Sequence, residues 1–303
     1  MNLAFNRAKR GNMPELPEVE TTVRDLQKII LGRKIEDVWS DFPKMIKRPK
    51  TLGQFKKEII GRKIQKIWRR GKNILFDLSD NKTLLIHQKL TGHLLYGTWN
   101  IKHGTWKPGK KGPLEEKINA YIHLLFILDN GKMLALSDLR KFAKVELWLS
   151  PELVESEEFK NLGPEPLEKS FTFQKFKECL EGERGKIKQV LMDQTVIAGI
   201  GNIYSDEILF KARVHPFRET KRLSDEELER IYQAMRKILA KAIEVKGESI
   251  SDYRTLSGEK GGFDLLRKVY RREGERCSRC GTVIKRAKIG GRSAHYCPQC
   301  QKL

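Results

Sequence analysis

Four of the five cysteines fall in the last 27 residues, as Cys277 and Cys280, then a gap of 16 residues, then Cys297 and Cys300. Two residues between cysteines let one tight turn aim both thiolates at a single ion, and a second such pair completes a tetrahedron. Two redox dithiols or free thiols are the alternative use of these residues. Residues 282–284 and 290–296 read as the strands of a hairpin, so the expectation is a zinc ribbon, not a helix-bearing finger. With four thiolates the shell is closed, which makes the expected cofactor one structural Zn2+; no organic cofactor is expected. His295 reads as a bystander beside the metal. Lys285, Arg286, Lys288 and Arg292 on the same hairpin are within the reach of phosphates. The fifth cysteine, Cys179, stands alone, and a disulfide framework would distribute its thiols differently.

Charge narrows the partner. The chain of 303 residues carries 60 Lys and Arg against 39 Asp and Glu, a formal charge of +21. Such an excess, spread over every segment, favours a polyanion such as nucleic acid over a small neutral substrate; a solvated basic surface is the plain alternative. No apolar run approaches the ~18 residues of a membrane span, and residues 1–12 lack the apolar stretch of a secretory signal. The reading is a soluble intracellular protein without a membrane partner.

Periodicity divides the chain. Val19, Val23, Leu26, Ile29 and Ile30 recur at helical spacing and predict a helix over 17–31, opened by a proline and closed by Gly32. Residues 34–149 change to short apolar or alternating runs, 74–78, 83–86, 122–128 and 145–149 among them, punctuated by turn sequences, which predicts a β-sandwich or barrel. Leu162-Gly163-Pro164-Glu165-Pro166 marks a stiff connection. Beyond it the spacing predicts helices over 173–180, 187–193 and 204–212, and a longer one entered at Ser224 with Glu227 three residues on, a capping box. Residues 248–263, rich in Ser, Gly and charge, read as a mobile loop.

Several short motifs carry a more specific likeness. Met13-Pro14-Glu15-Leu16-Pro17-Glu18, Arg70-Gly71-Lys72-Asn73, Asp138-Leu139-Arg140-Lys141-Phe142, Leu162 to Leu167, Leu191-Met192-Asp193, Gly199-Ile200-Gly201-Asn202-Ile203-Tyr204 and the cysteine module stand in the order in which the formamidopyrimidine-DNA glycosylase family has them. The chain resembles that family over residues 13–303. The resemblance implies an α+β multidomain fold: an N-terminal helix with a β-sandwich (13–150), a linker (151–163), a helix–two-turn–helix DNA-binding domain with a lesion-covering loop (164–264) and a β-hairpin zinc ribbon (265–303).

It also implies a chemistry. Pro14, once its α-amino group is free, would attack the sugar of an oxidised purine nucleotide; Glu15 would donate a proton to the opening sugar, Lys72 would assist β-elimination and Arg292 δ-elimination. Reaching a base in a duplex requires flipping it out and filling the gap. The resemblance gives that filling to Leu90, Arg140 and Phe142, and further DNA contacts to Tyr121, Asn202 and Arg184. Leu90 stands where the family has methionine, and Tyr121 where it has histidine; His123 matches. The implied partner is double-stranded damaged DNA, met by a monomer in the bacterial cytoplasm.

With residues 1–12 attached, the Pro14 nitrogen is a tertiary amide and no nucleophile. Either the enzyme begins after Met13 or the leader must be removed. Two other readings are an endonuclease VIII-like enzyme for oxidised pyrimidines, against which Leu16 speaks, and a damaged-DNA-binding relative without activity.

Overall fold

The computed structural model describes residues 13–102, 105–249 and 252–303; the leader 1–12 lies outside the described residues. Helix α1 (Leu16–Ile29) buries Val19, Val23 and Leu26, the stripe read from spacing. It packs against the second of two sheets. One has the order β1-β9-β10-β6, from strands β1 (Ile35–Ser40), β6 (Gly92–Gly97), β9 (Ile122–Leu128) and β10 (Met133–Asp138). The other has the order β2-β11-β5-β4-β3, from β2 (Ile46–Arg48), β3 (Ile64–Arg70), β4 (Asn73–Leu78), β5 (Lys82–His87) and β11 (Lys144–Leu149). Neighbours are antiparallel except β2 and β11. Between the sheets lies the core of Val38, Ile67, Phe76, Ile86, Phe126 and Leu136, closed at one end by Phe55 of α2 (Leu52–Ile59). The expected sandwich is present.

Both sheets are apolar on their outer faces too, which explains why β9 reads as a continuous run instead of an alternation. Leu95, Leu125 and Ala135 face outward and are covered by a flap, the described part of residues 98–121, that contains the hairpin strands β7 (Trp99–Lys102) and β8 (Thr105–Pro108). Trp106 of the flap meets Trp39 edge-on, centroids 5.4 Å apart. On the second sheet Leu75 and Leu85 are covered by Leu153 and Phe159, from α3 (Ser150–Glu155) and α4 (Glu157–Lys160). The stretch expected as a linker is therefore two short helices with a buried face, and the connection proper is the Gly-Pro segment that follows.

Four helices make the second core: α5 (Phe173–Leu180), α6 (Ile187–Met192), α7 (Asn202–Ala212) and α8 (Asp225–Glu244). The ends of the first three agree with the spacing to within two residues, and the fourth starts where its capping box predicts. Ser224 caps α8, its hydroxyl accepting from Glu227 N. Between α6 and α7, Gly199 (φ +96°) and Gly201 leave room for the N-terminus of α1: a Cβ on Gly199 would meet Leu16 Cβ at 2.7 Å.

Two expectations are corrected. The described part of residues 248–263 is not a free loop: Tyr253, Arg254, Thr255 and Leu256 are buried, Leu256 belongs to the sandwich core, and its carbonyl accepts from Tyr96 N at 2.8 Å on the edge of β6. We call this segment, 252–262, the strap. Its Ser and Gly content suggested a loop because the partners that bury it lie more than 100 residues away; Ile250 and Ser251 lie outside the described residues. In the ribbon, the hairpin pairs β12 (Lys285–Ile289) with β13 (Arg292–Tyr296) across Gly290 and Gly291, both at positive φ, as a two-residue hairpin turn needs. Residues 282–284 pair backward, with Ile284 N donating to Glu275 O at 2.9 Å, because the first cysteine turn doubles the chain back on itself.

Candidate active site and metal centre

The sulfurs of Cys277, Cys280, Cys297 and Cys300 lie within 4.8 Å of one another. Four thiolates on two turns fit one tetrahedral Zn2+ and leave no open position, as a structural site requires. His295 is not among the four. Its Nδ1 and backbone N both reach Asp206 Oδ2 at 2.9 Å, and Asp206 Oδ1 accepts from Lys188 Nζ at 2.5 Å, all three side chains buried. Glu207 accepts from the backbone N–H groups of residues 268–270. These neighbours on α7 fasten the ribbon to the helices, and nothing in their spacing announced it.

The fastening aims β13 at the N-terminus of α1. A cavity of about 550 Å³ there is lined by Met13, Glu15, Lys72, Leu90, Asn202 and Arg292, and also by Lys89, Glu157, Glu158, Met192 and Gln194. Seven segments thus converge, the start of α1, the β3–β4 turn, the β5–β6 loop, α4, α6, α7 and β13, and three of the four residues expected to act chemically share one space. The fourth, Pro14, is buried between Met13 and Glu15.

Each side chain is held by local geometry. Glu15 is 2% exposed, and its carboxylate accepts from Gly201 N at 2.7 Å and Ile203 N at 2.8 Å at the start of α7. A Cβ on Gly201 would lie 2.4 Å from Glu15 Cδ, so only glycine admits the carboxylate. Burial pushes its pKa up, opposed by Lys72 and by those backbone donors. Glu18 lies behind it: Oε2 accepts from Glu15 N at 2.8 Å, Oε1 from Tyr204 Oη at 2.5 Å and Glu248 N at 2.8 Å. Burial, with Glu15 adding repulsion, raises Glu18 to about 8.

Lys72 follows Gly71 (φ +56°) in the β3–β4 turn. Glu165 fixes that turn by accepting from Gly71 N at 2.6 Å and pairing with Arg69 and Arg70, and Arg70 donates to Leu162 O and Gly163 O, both at 2.7 Å. The Leu162 to Leu167 motif therefore holds the lysine turn in place. Burial lowers the Lys72 amine, and Glu15 and Glu18 oppose the shift.

The residues expected as gap fillers occupy two adjacent loops. Thr91 Oγ1 accepts from Arg140 N at 3.0 Å and also bonds Asp138, whose carboxylate takes Ala143 N at 2.7 Å. Phe142 is 51% exposed, with the Arg140 guanidinium 4.9 Å from its ring centroid. Leu90, next to Thr91, lines the cavity; Arg140 and Phe142 do not. Neither do Tyr121, whose carbonyl accepts from Asp138 N, or Arg184, exposed in the turn before α6.

Lys89, Glu18 and the Lys188–Asp206–His295 group were not singled out from sequence. Between β5 and β6, Gln88 is 1% exposed and neither amide atom has a partner among the described residues. A buried unpaired amide costs about 1–3 kcal/mol, so Gln88→Leu should raise the unfolding free energy by that order in denaturant titration. A less stable variant would mean that the amide is hydrated internally.

Residues 13–145 match the formamidopyrimidine-DNA glycosylase N-terminal domain, 162–254 the H2TH domain of the same name, and 274–303 a zinc finger found in FPG and IleRS. A formamidopyrimidine-DNA glycosylase of Pelotomaculum thermopropionicum is 41% identical over 96% of this chain and 100% of its own. The fold superposes on Lactococcus lactis Fpg in complex with DNA containing an abasic site, with TM-score 0.83 and 36% identity over 95% of this chain and 100% of that one. It superposes equally on MutM in complex with DNA containing carbocyclic 8-oxo-G, TM-score 0.83 at 36% identity, over 96% of this chain and 100% of that one. Among the described residues no helix is long and apolar enough to cross a membrane.

Proposed function

Because the chain belongs to the formamidopyrimidine-DNA glycosylase family, we propose that it excises oxidised purines from duplex DNA and then nicks the strand by β- and δ-elimination, in an active form that begins at Pro14. The observation that supports this most is the single cavity where Met13, Glu15, Lys72 and Arg292 meet. Removing Met13 would open the Pro14 nitrogen to that space. An α-amino group titrates near 8, so a useful unprotonated fraction exists at neutral pH.

The amine lone pair attacks C1′, and the bond from C1′ to the base breaks, the base leaving with the electron pair and a proton. Opening of the sugar breaks C1′–O4′, and O4′ takes a proton from Glu15, whose burial favours the protonated form that such a donor needs. The resulting iminium acidifies C2′; loss of that proton expels the 3′ phosphate, and a second elimination expels the 5′ phosphate. Lys72, with its amine pKa lowered by burial, serves the first elimination, and Arg292 the second. Hydrolysis of the iminium returns the amine.

Leu90, Arg140 and Phe142 fill the gap left by the flipped base, and Asn202, Tyr121 and Arg184 contact the DNA. The zinc ribbon carries Arg292 to the site, while its closed four-thiolate shell takes no part in bond making. We divide the chain into residues 13–150, 151–163, whose two short helices pack on the sandwich, 164–264 and 265–303, with the monomer as the working unit in a bacterial cytoplasm and the leader absent from the mature enzyme.

The Pro14-start protein should cut duplexes containing 8-oxoguanine faster than duplexes containing oxidised cytosine, ending in phosphates on both sides of the gap. Faster cutting at oxidised cytosine would transfer the chain to the pyrimidine-specific sister activity. Tight binding to both without cutting would leave only a damage-binding protein.

A further inference from the structure

Two segments distant in the chain meet away from the cavity. Arg254 of the strap donates from Nε and Nη2 to Glu116 Oε2 and Oε1 of the flap at 2.6 and 2.9 Å, with the Arg254 side chain 5% exposed. Its Nη1 donates to Tyr253 O at 2.7 Å, so the same fork fixes the strap backbone. A second lock lies beside it. The Asn119 amide donates to Pro113 O at 2.8 Å and Gly258 O at 3.2 Å, while its Oδ1 faces His93 Nε2 at 2.9 Å. Gly258 has φ +85°, and a Cβ there would meet Asn119 Nδ2 at 2.8 Å.

The strap then bears on the helix that carries the proposed nucleophile. Tyr253 Oη donates to Glu18 O at 3.2 Å, and on the chain just before the strap Glu248 N donates to Glu18 Oε1. A Cβ on Gly247 would lie 2.7 Å from Glu18 Oε1, so the chain is pressed closely against that carboxylate. Glu18 in turn accepts from Glu15 N.

We propose that Glu116 and Arg254 are positioning residues for covalent attack: the flap holds the strap, the strap holds Glu18, and Glu18 holds the Glu15 peptide and so the direction of the Pro14 nitrogen. This rests on the reading of Pro14 as the nucleophile. Neither residue lines the cavity, so their effect runs through geometry alone. Misplacing a reacting group by about 1 Å from a distance can cost about 100-fold in rate.

The test uses Glu116→Gln and Arg254→Met in the Pro14-start protein, with borohydride trapping under single turnover on duplexes carrying 8-oxoguanine or an abasic site. Duplex Kd and Tm are measured on the same samples. The trapping rate should fall about ten- to a hundredfold on both substrates with Kd unchanged, and the exchanged pair, Glu116→Arg with Arg254→Glu, should recover most of it. Unchanged trapping rates would overturn the inference and leave an inert brace. A loss confined to Kd would also overturn it, in favour of a DNA-contacting surface. If Arg254→Met fails to fold, Arg254→Lys keeps the charge without the fork and gives the same two readings. Absence of trapping by the unsubstituted Pro14-start protein would overturn the nucleophile reading itself, a result distinct from failure of the positioning role alone.

Discussion

Borohydride should trap a covalent adduct between 8-oxoguanine duplex and the protein beginning at Pro14, and none with the full chain of 303 residues. The physical difference is one bond. In the full chain the Pro14 nitrogen is a tertiary amide, its lone pair delocalised into the Met13 carbonyl; once that bond is cut it is a secondary amine. Removing a covalent nucleophile while keeping the rest of a site costs on the order of 10⁴-fold or more in turnover, so cleavage should fall with the adduct. Mass spectrometry should map the adduct to Pro14, and acetylation of the amine should abolish it without changing the zinc content. An adduct at Lys72 in both proteins would move the nucleophile to that lysine and make the leader irrelevant to the chemistry.

Much of this arrangement was legible before the fold was known, and the parts that were not share a physical reason. The helix at the N-terminus, the sandwich strands β4, β5, β9 and β11 and the four later helices each leave a local periodicity, so their positions followed from spacing. The zinc shell was legible because two short turns encode it. The strap was misread because its composition is that of a loop, whereas Tyr253 and Leu256 are buried by β6 and α1, partners that no local window contains. The same holds for the Lys188–Asp206–His295 group, whose outer members are separated by 107 residues as read from their numbers. His295 read as a bystander to the metal; it lies outside the four-sulfur cluster, and its work is to meet Asp206.

The candidate site divides in the same way. Pro14, Glu15, Lys72 and Arg292 came from family motifs and not from any pattern that physics writes locally; the structure adds why the motifs have their form. Gly201 must be glycine because Glu15 lies where its Cβ would be, and Glu165, after the Gly-Pro step, ties the turn that bears Lys72. Glu18, buried and raised to about 8, stands in the first motif, where nothing local marks it as the partner of the Glu15 backbone.

Removal of zinc should abolish strand cleavage by more than about 100-fold while leaving most of the protein folded, because binding of a structural metal is itself folding free energy for its module. The ribbon has little else to hold it: its apolar cluster is Phe210, Val269, Cys277, Ile284 and Cys297, and two of those five are metal ligands. A cluster of that size cannot keep some 30 residues ordered unaided. The sandwich core does not draw on it, and the helical core takes only Tyr270 and the half-buried Leu266 from residues 265–303, so circular dichroism should retain most of its signal. What is lost is the placement of β13, and with it Arg292 at the cavity. The loss should differ from that of Arg292→Ala in the zinc-loaded protein, which should keep β-elimination and duplex affinity and lose the second cut. Chelated protein, or Cys297→Ser, should lose both cuts together with affinity, and for the chelated protein zinc should restore all three. Full cleavage by protein shown to be free of metal would mean that Asp206, Glu207 and Gln301, which bonds Val214 O at 2.9 Å, suffice to hold the ribbon in place.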